Sequence, residues 1–308
     1  MDAYDVIIIG GGTAGFSAGM YSSRLGLKTL LLERLIPGGQ IINVEKVEDY
    51  PGFPEGISGA EFSSKLQEQA IGSGTEFAMS EVTGIRKLDK QWVVETYEGE
   101  KTAKSIILAG GSTLNRLGVP GENELVGAGV SYCATCDGAF FIDQNVAVIG
   151  GGDSALQEAI TLTEFASKVD IFCKSETLHG QQILQDRVSN HEKIKVHLNV
   201  EVKEIHGDGM VEGISLINLL SGESTRVHMD GVFIFVGLTP NSDFIEGLVD
   251  TDKGGHIQTD INLETCVKGI FAAGDIRANS ASQLISSAGD GVTAAVNAKK
   301  YLTGQKLN

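Results

Sequence analysis

The hydrophobic pattern of the chain repeats one figure: a short unbroken apolar run, a glycine-rich turn, then a stretch with helical spacing. Val6–Ile9 is the first such run. A strand buried on one face alternates apolar and polar residues, whereas a strand covered on both faces reads as continuous apolar, so Val6–Ile9 predicts a central parallel strand. A helix follows until Gly26, a residue suited to ending one. "KTLLLE" at 28–33 predicts the next strand. The figure returns at 144–172, with "QNVAVIG", a helix to about Ala166 and a strand Val169–Phe172. A third, partial copy has a strand Gly269–Ala273 and a helix over 282–302. Residues 86–101 read as a hairpin with "EGEK" at the turn.

The glycines give these turns a chemical meaning. Gly10, Gly12 and Gly15 have G-x-G-x-x-G spacing, and Glu33 ends the second strand 23 residues after Gly10. Gly10 makes the tight turn, Gly12 lets a pyrophosphate approach the backbone, and Gly15 lets helix and strand pack closely. The helix N-terminus favours phosphate charge, and Glu33 can accept hydrogen bonds from a ribose diol. Gly150, Gly152 and Ala155 repeat the pattern as G-x-G-x-x-A, either as a second nucleotide site or as a duplicated turn kept for packing. Gly274 and Asp275 close the third strand, where carboxylates meet ligand hydroxyls. The fold class expected is α/β, with two Rossmann-like, three-layer dinucleotide-binding domains.

Composition narrows the field. The chain has 308 residues, enough for about two domains of roughly 150 residues. With 24 basic and 40 acidic residues its net charge is −16, which argues against a nucleic-acid partner. No apolar run approaches the roughly 18 residues of a membrane helix. "MDAYDVIIIG" enters a strand directly, so neither an export signal nor a transit peptide is expected. Four cysteines suit a reducing, cytoplasmic setting.

Two of those cysteines, Cys133 and Cys136, stand in "CATCDG" just upstream of the second glycine turn. Zinc would need four ligands, and no second C-x-x-C or H-x₃-H exists, so no metal site is expected. A two-residue spacer constrains little of the unfolded chain, which makes a purely structural disulfide a poor use of the pair. C-x-x-C geometry does suit a redox couple, with Asp137 beside it to manage a proton.

With "PGGQI" at 37–41, "VEDYPGFP" at 47–54, "CATCDG" at 133–138, "GGGDSA" at 150–155 and "GIFAAGD" at 269–275, the chain resembles the low-molecular-weight thioredoxin reductases over its whole length. The resemblance implies a homodimeric FAD enzyme that reduces a thioredoxin-like protein disulfide. The first turn would bind the ADP half of FAD, with Glu33 on its ribose. Gly39 and Gln40 would line the flavin, and Gly274, Asp275 and Gln283 would hold the ribityl chain and ring. Cys136 would be the flavin-proximal thiol, Cys133 the one that attacks the substrate, and Asp137 the general acid and base. Residues 1–112 and 245–308 would form the FAD-binding domain, and 113–244 the pyridine-nucleotide-type domain that carries the dithiol. A dithiol that must meet first the flavin and then a bulky protein implies rotation about the two crossings.

The chain departs from that pattern in two places. Members that use NADPH carry H-R-R-x-x-x-R after the second unit's strand to grip the 2′-phosphate. Here the segment is "CKSETLHG", with Cys173, Lys174, Ser175 and His179 at those positions. Gly150, Gly152, Ser154, Lys174 and His179 remain candidates for a pyridine nucleotide. The donor could be NADPH, NADH, or ferredoxin or another reduced carrier. A slow-cycling flavin redox sensor is the alternative from another class. Asp49 replaces the family's usual Asn, and is either a carboxylate that tunes the flavin or a solvated surface residue.

Overall fold

In β1 (Ala3–Ile9) alternate side chains go to opposite faces. Val6 and Ile8 join a buried cluster with Phe16, Ile107 and Phe271, while Ile7 and Ile9 join another with Leu30, Ile106 and Ile270. Both faces of the strand are therefore covered, as its unbroken apolar run requires. The computed structural model describes residues 3–305 and divides at 113/114 and 238/239 into two compact units, one of them an insertion in the other.

In chain order the outer unit begins with β1, α1 (Thr13–Arg24), β2 (Thr29–Glu33), α2 (Gly59–Gly72) and β3 (Glu76–Met79). A meander follows: β4 (Val82–Leu88), β5 (Gln91–Thr96) and β6 (Gly99–Leu108). After β7 (Ser112–Leu114) comes the inserted unit, with β8 (Val130–Ser131), α3 (Ala134–Asp137), β9 (Asn145–Ile149), α4 (Asp153–Leu162), β10 (Lys168–Phe172), α5 (Gln182–Ser189) and β11 (Ile194–His197). It continues through β12 (Val200–Gly207), β13 (Val211–Asn218), β14 (Ser224–His228) and β15 (Gly231–Ile234). The chain returns by β16 (Leu238–Pro240) and ends with β17 (Ile270–Ala272) and α6 (Leu284–Thr303).

The outer sheet runs β3-β2-β1-β6-β5-β4, with β17 also on β6. Strand β6 is shared: β1 lies parallel along one edge, while the other edge takes antiparallel β5 at Gly99–Ala103 and parallel β17 at Ile106–Leu108. The inserted sheet is wholly parallel, in the order β11-β10-β9-β15-β8, and β12-β13-β14 form a separate antiparallel sheet. Strand β9 repeats the logic of β1, with Val146 and Val148 in one core cluster and Ala147 and Ile149 in another.

Three sequence expectations need correction. Residues 86–101 are parts of three strands, because the turns fall at Asp89–Lys90 and Tyr97–Glu98. Asp89 takes a positive φ, and Gly99 already pairs with Thr96. Only Glu98 of "EGEK" is thus in the turn, and Gly99–Lys101 are ladder. Helix α4 stops at Leu162, short of Ala166, where Thr163 donates its hydroxyl to the Ile160 carbonyl at 2.6 Å and the chain turns. Residues 239–244 fall in the outer unit rather than the insertion. There the Ser242 hydroxyl donates to the Gly255 carbonyl at 2.7 Å, and Phe244 packs beside Ile245.

The glycines of β1 and α1 are fixed by contact. A Cβ on Gly15 would lie 1.8 Å from the Gly10 carbonyl oxygen, and one on Gly10, at φ +108°, would lie 2.2 Å from the Ala109 carbonyl oxygen. Backbone cannot yield cheaply to either atom. Gly15→Ala is therefore expected to cost about 2–4 kcal/mol in urea unfolding, and an unchanged midpoint would contradict this packing.

Candidate functional site

Each unit brings together its own set of candidate residues. In the outer unit they gather around the N-terminus of α1. Glu33 is held there by two backbone donors: Gly11 N–H reaches its Oε2 at 2.7 Å and Leu35 N–H its Oε1 at 2.8 Å. A carboxylate oxygen has two lone pairs, so each retains acceptor capacity for a hydroxyl. The "PGGQ" loop docks on the same turn, with Gly38 N–H donating to the Gly11 carbonyl at 2.7 Å. Gly39, at φ +65°, faces Gly12: a Cβ on Gly39 would lie 3.8 Å from Gly12 Cα, and one on Gly12 would touch only the Gly38 carbonyl oxygen, at 3.9 Å. The Gln40 amide donates to the Ser112 carbonyl at 3.3 Å.

Gly274 comes up against α1 from the other side, where its Cβ would meet that of Ala14 at 3.0 Å. Next to it, Asp275 Oδ1 accepts from the hydroxyls of Ser280 at 3.0 Å and Ser287 at 3.3 Å. Gln283 caps α6 through a reciprocal box with Ser286. The structure thus gathers Gly10, Gly12, Gly15, Glu33, Gly39 and Gly274 about one helix start, with Asp275 alongside. Asp49 is exposed on the loop before Tyr50.

Two residues of this region escaped the sequence reading. The Asp290 carboxylate accepts from Gly274 N–H at 3.0 Å and from Arg277 at 2.6 and 2.9 Å, clamping the Gly274–Asp275 turn to α6. The pair is mostly buried, and bidentate pairing of this kind fixes geometry as well as charge.

In the inserted unit Cys133 and Cys136 form a disulfide, with Cys133 half-buried and Cys136 exposed. They start the short helix α3, and Cys136 N–H donates to Cys133 Sγ at 3.1 Å. Buried side chains hold this loop from below. Ser131 Oγ accepts from Cys133 N–H at 3.1 Å and donates to Asp137 Oδ2 at 2.6 Å. Glu158, projecting from α4, accepts from Ala134 N–H at 2.8 Å. The carboxyl expected to manage a proton is thus tied to the dithiol loop through one hydroxyl. Neither Ser131 nor Glu158 carried a sequence signal, since a Ser before a C-x-x-C and a Glu inside a helix are both commonplace.

Next to Cys133, Tyr132 enters a second network. Its hydroxyl donates to Glu122 at 2.7 Å and accepts from Arg116 at 2.6 Å, and the Arg116 guanidinium lies over its ring. Glu122 also accepts from Leu117 and Gly118 N–H, which ties the segment after the first crossing to the dithiol strand. Burial, reinforced by the bond to Glu122, pushes the Tyr132 phenol up to about 12. Burial alone would raise Glu122, but bonds from Tyr132 and three backbone N–H groups outweigh it and hold the carboxyl below its ordinary value.

The second glycine turn has the geometry of the first. Gly150, at φ +142°, has no room for a Cβ, which would lie 2.2 Å from the Phe235 carbonyl oxygen, whereas Gly152 faces open space. Residues 179–181 lie on it: His179 N–H donates to the Gly151 carbonyl at 2.7 Å, and Gln181 N–H to Asp153 at 2.6 Å. Ser154 and the His179 ring are exposed. Lys174 Nζ is paired with Glu201 Oε1 at 2.9 Å, and Lys203 shares the same carboxylate. Among the described residues no three His, Cys, Asp or Glu side chains gather as a metal site.

The family model for pyridine nucleotide-disulphide oxidoreductases matches residues 4–299. A thioredoxin reductase of Bacillus subtilis is 46% identical over 300 residues, covering 97% of this chain and 95% of its own. The chain belongs to the low-molecular-weight thioredoxin reductases. Among solved structures, the thioredoxin reductase of Lactococcus lactis in its FR conformation superposes with a TM-score of 0.96 at 44% identity, over 98% of this chain and 99% of that one. A ferredoxin-flavin thioredoxin reductase from Clostridium acetobutylicum matches at 30% identity and a TM-score of 0.55, over the whole of both chains. The close pair Cys133–Cys136 fits the redox-active dithiol of a thioredoxin reductase. The described helices include none long and apolar enough to cross a membrane.

The Glu122 network makes a pH-dependent prediction. A carboxyl held below its ordinary pKa contributes stability that is complete above the ordinary value and is lost as pH falls through the folded one. Glu122→Gln should therefore lower stability by about 1–3 kcal/mol at pH 7. The gap from the parent should close as the medium is acidified below about pH 4. Denaturant titrations across pH 3–7 read this directly, and a gap independent of pH would refute the ionised role.

Proposed function

We propose that this chain is an FAD-dependent thioredoxin-disulfide reductase in which Cys133 and Cys136 pass two electrons to the disulfide of a thioredoxin-like protein. The observation that carries the reading is the surface disulfide held at the start of α3, with Asp137 bound to its loop through Ser131. Gly10, Gly12, Gly15, Glu33, Gly39, Gln40, Gly274, Asp275 and Gln283 would hold the cofactor. The fit rests on the glycine cradle and on Glu33 and Asp275, whose oxygens lie at the ends of strands facing one helix start. FAD, when bound, supplies a two-electron relay between the donor and the Cys133–Cys136 disulfide.

The chain's own residues do the rest. The reduced pair holds Cys133 as a thiolate, which attacks one sulfur of the substrate disulfide and expels the other as a thiolate that takes up a proton. Cys136, deprotonated in turn, attacks Cys133 Sγ. The mixed disulfide breaks, the second substrate sulfur leaves, and the Cys133–Cys136 bond re-forms. Two electrons have passed to the substrate and two protons with them. Asp137 carries the protons at Cys136; its place next in sequence and its bond from Ser131 support that role. The helix start at Ala134 and the Cys136 N–H on Cys133 Sγ favour a thiolate at Cys133. The family supports a homodimer, and the exposed free thiol of Cys266 suits a reducing, cytoplasmic setting.

A second reading of the donor is favoured by the segment 173–179. Its one fixed positive charge, Lys174, is engaged by Glu201. Ferredoxin or another reduced carrier could replace NADPH or NADH without altering the dithiol chemistry, as the name of the Clostridium acetobutylicum relative illustrates.

Anaerobic stopped-flow absorbance tests the function. NADH, NADPH or reduced ferredoxin should bleach the yellow holoprotein, and oxidised thioredoxin should restore its colour within a catalytic turnover. Cys136→Ser should lower thioredoxin reduction by roughly 10³-fold or more. Colour that returns only over hours would favour a slow redox sensor, and a variant as active as the parent would end the dithiol mechanism.

A further inference from the structure

The two glycine turns are built alike but end in different chemistry. In the outer unit a Cβ on Gly11 would meet Glu33 at 3.1–3.3 Å, so the carboxylate stands directly against the turn. The corresponding contact in the inserted unit belongs to Cys173: a Cβ on Gly151 would lie 2.5 Å from its Sγ. Cys173 follows Gly150 by the same 23 residues that separate Glu33 from Gly10. It is 3% exposed, and its sulfur lies 3.9 Å from the Thr177 carbonyl. The position occupied by a carboxylate in the first turn is therefore a buried cysteine in the second.

The charge missing from that strand end arrives from another strand. Lys174, the next residue, is held at 2.9 Å by Glu201 at the start of β12. Lys203, two residues on and on the same face of β12, donates to the other oxygen of Glu201. The paired ammoniums of Lys203 and Lys174 hold Glu201 ionised, down to about 2. The nearby Asp153 carboxylate is occupied by Gln181 N–H, Glu176 and His179 are exposed, and no arginine lies in 173–181.

We propose that Glu201 is a specificity-determining residue of the second glycine turn. By holding Lys174 and Lys203 it selects an adenine nucleotide whose ribose bears free hydroxyls over one that bears a 2′-phosphate. A phosphate approaching Lys174 meets a carboxylate already bound to it, and like charges at this range oppose each other. A free diol can instead donate to the Glu201 oxygens, which the Val200 N–H bond to the Cys173 carbonyl at 3.0 Å brings beside the end of β10. The inference rests on the reading that the second turn binds a pyridine nucleotide.

Calorimetric binding of NAD⁺ and NADP⁺ to the oxidised holoenzyme at low ionic strength tests it without turnover. The parent should bind NAD⁺ the more tightly. Glu201→Gln frees two ammoniums and should tighten NADP⁺ roughly fivefold or more without strengthening NAD⁺. Added salt should shrink that gain, and Glu201→Asp should keep the parent's preference. An unchanged flavin spectrum and unfolding midpoint show that each variant is folded. Equal affinities in the parent, or NADP⁺ binding that ignores Glu201→Gln, would overturn the proposal. So would failure of both nucleotides to bind. In that last case thioredoxin reduction after chemical reduction of the dithiol would still stand, separating this inference from the proposed function.

Discussion

A disulfide that closes across two residues cannot hold a fold together. The loop-closure entropy it removes from the unfolded chain is small, so the native state has little to lose when the bond opens. The surroundings must then keep the loop in place whether or not the sulfurs are joined. Ser131 and Glu158 do this by taking the N–H groups of Cys133 and Ala134, bonds that involve no sulfur. Behind them, Tyr132 and Glu122 tie the same strand to the segment after the first crossing. A redox pair on a loop that keeps its shape can cycle, and that constraint organises the inserted unit around Cys133 and Cys136.

The outer unit solves a different problem, bringing the backbone of strand, turn and helix into direct contact. Gly10 and Gly15 remove side chains where strand, turn and helix touch, and a Cβ on Gly12 would touch only the Gly38 carbonyl oxygen, at 3.9 Å. Glu33 and Asp275 are then positioned by backbone and hydroxyl donors rather than by cations. The inserted unit reuses the turn but replaces Glu33's counterpart with Cys173. The two turns share a geometry and differ in a few side chains at their strand ends.

Much of this was legible in the chain itself, for identifiable reasons. Central strands announce themselves as unbroken apolar runs, and the glycine turns by spacing that only close backbone contact explains. Glu33 could be read because it lies a fixed distance beyond Gly10 on the adjacent strand. Glu158, Asp290, Glu122 and Glu201 could not, because each meets its partner through the fold rather than through spacing. A carboxylate within a helix or on an alternating strand such as "VEVKEI" looks solvated until the tertiary neighbour is known. The meander was misread because "EGEK" has turn-like composition, whereas the actual turn is set by Thr96 pairing with Gly99. Cross-strand register outweighs local propensity there.

The central claim is that Cys133 is the sulfur that engages the protein substrate. It is tested most directly by trapping the covalent intermediate. Cys136→Ser leaves Cys133 unpartnered, and a thioredoxin with a single active-site cysteine, carried as its thionitrobenzoate disulfide, offers a sulfur that can be attacked only once. Intact-mass and peptide analysis should find a one-to-one adduct joined through Cys133. An adduct through the exposed Cys266, or none, would contradict the account.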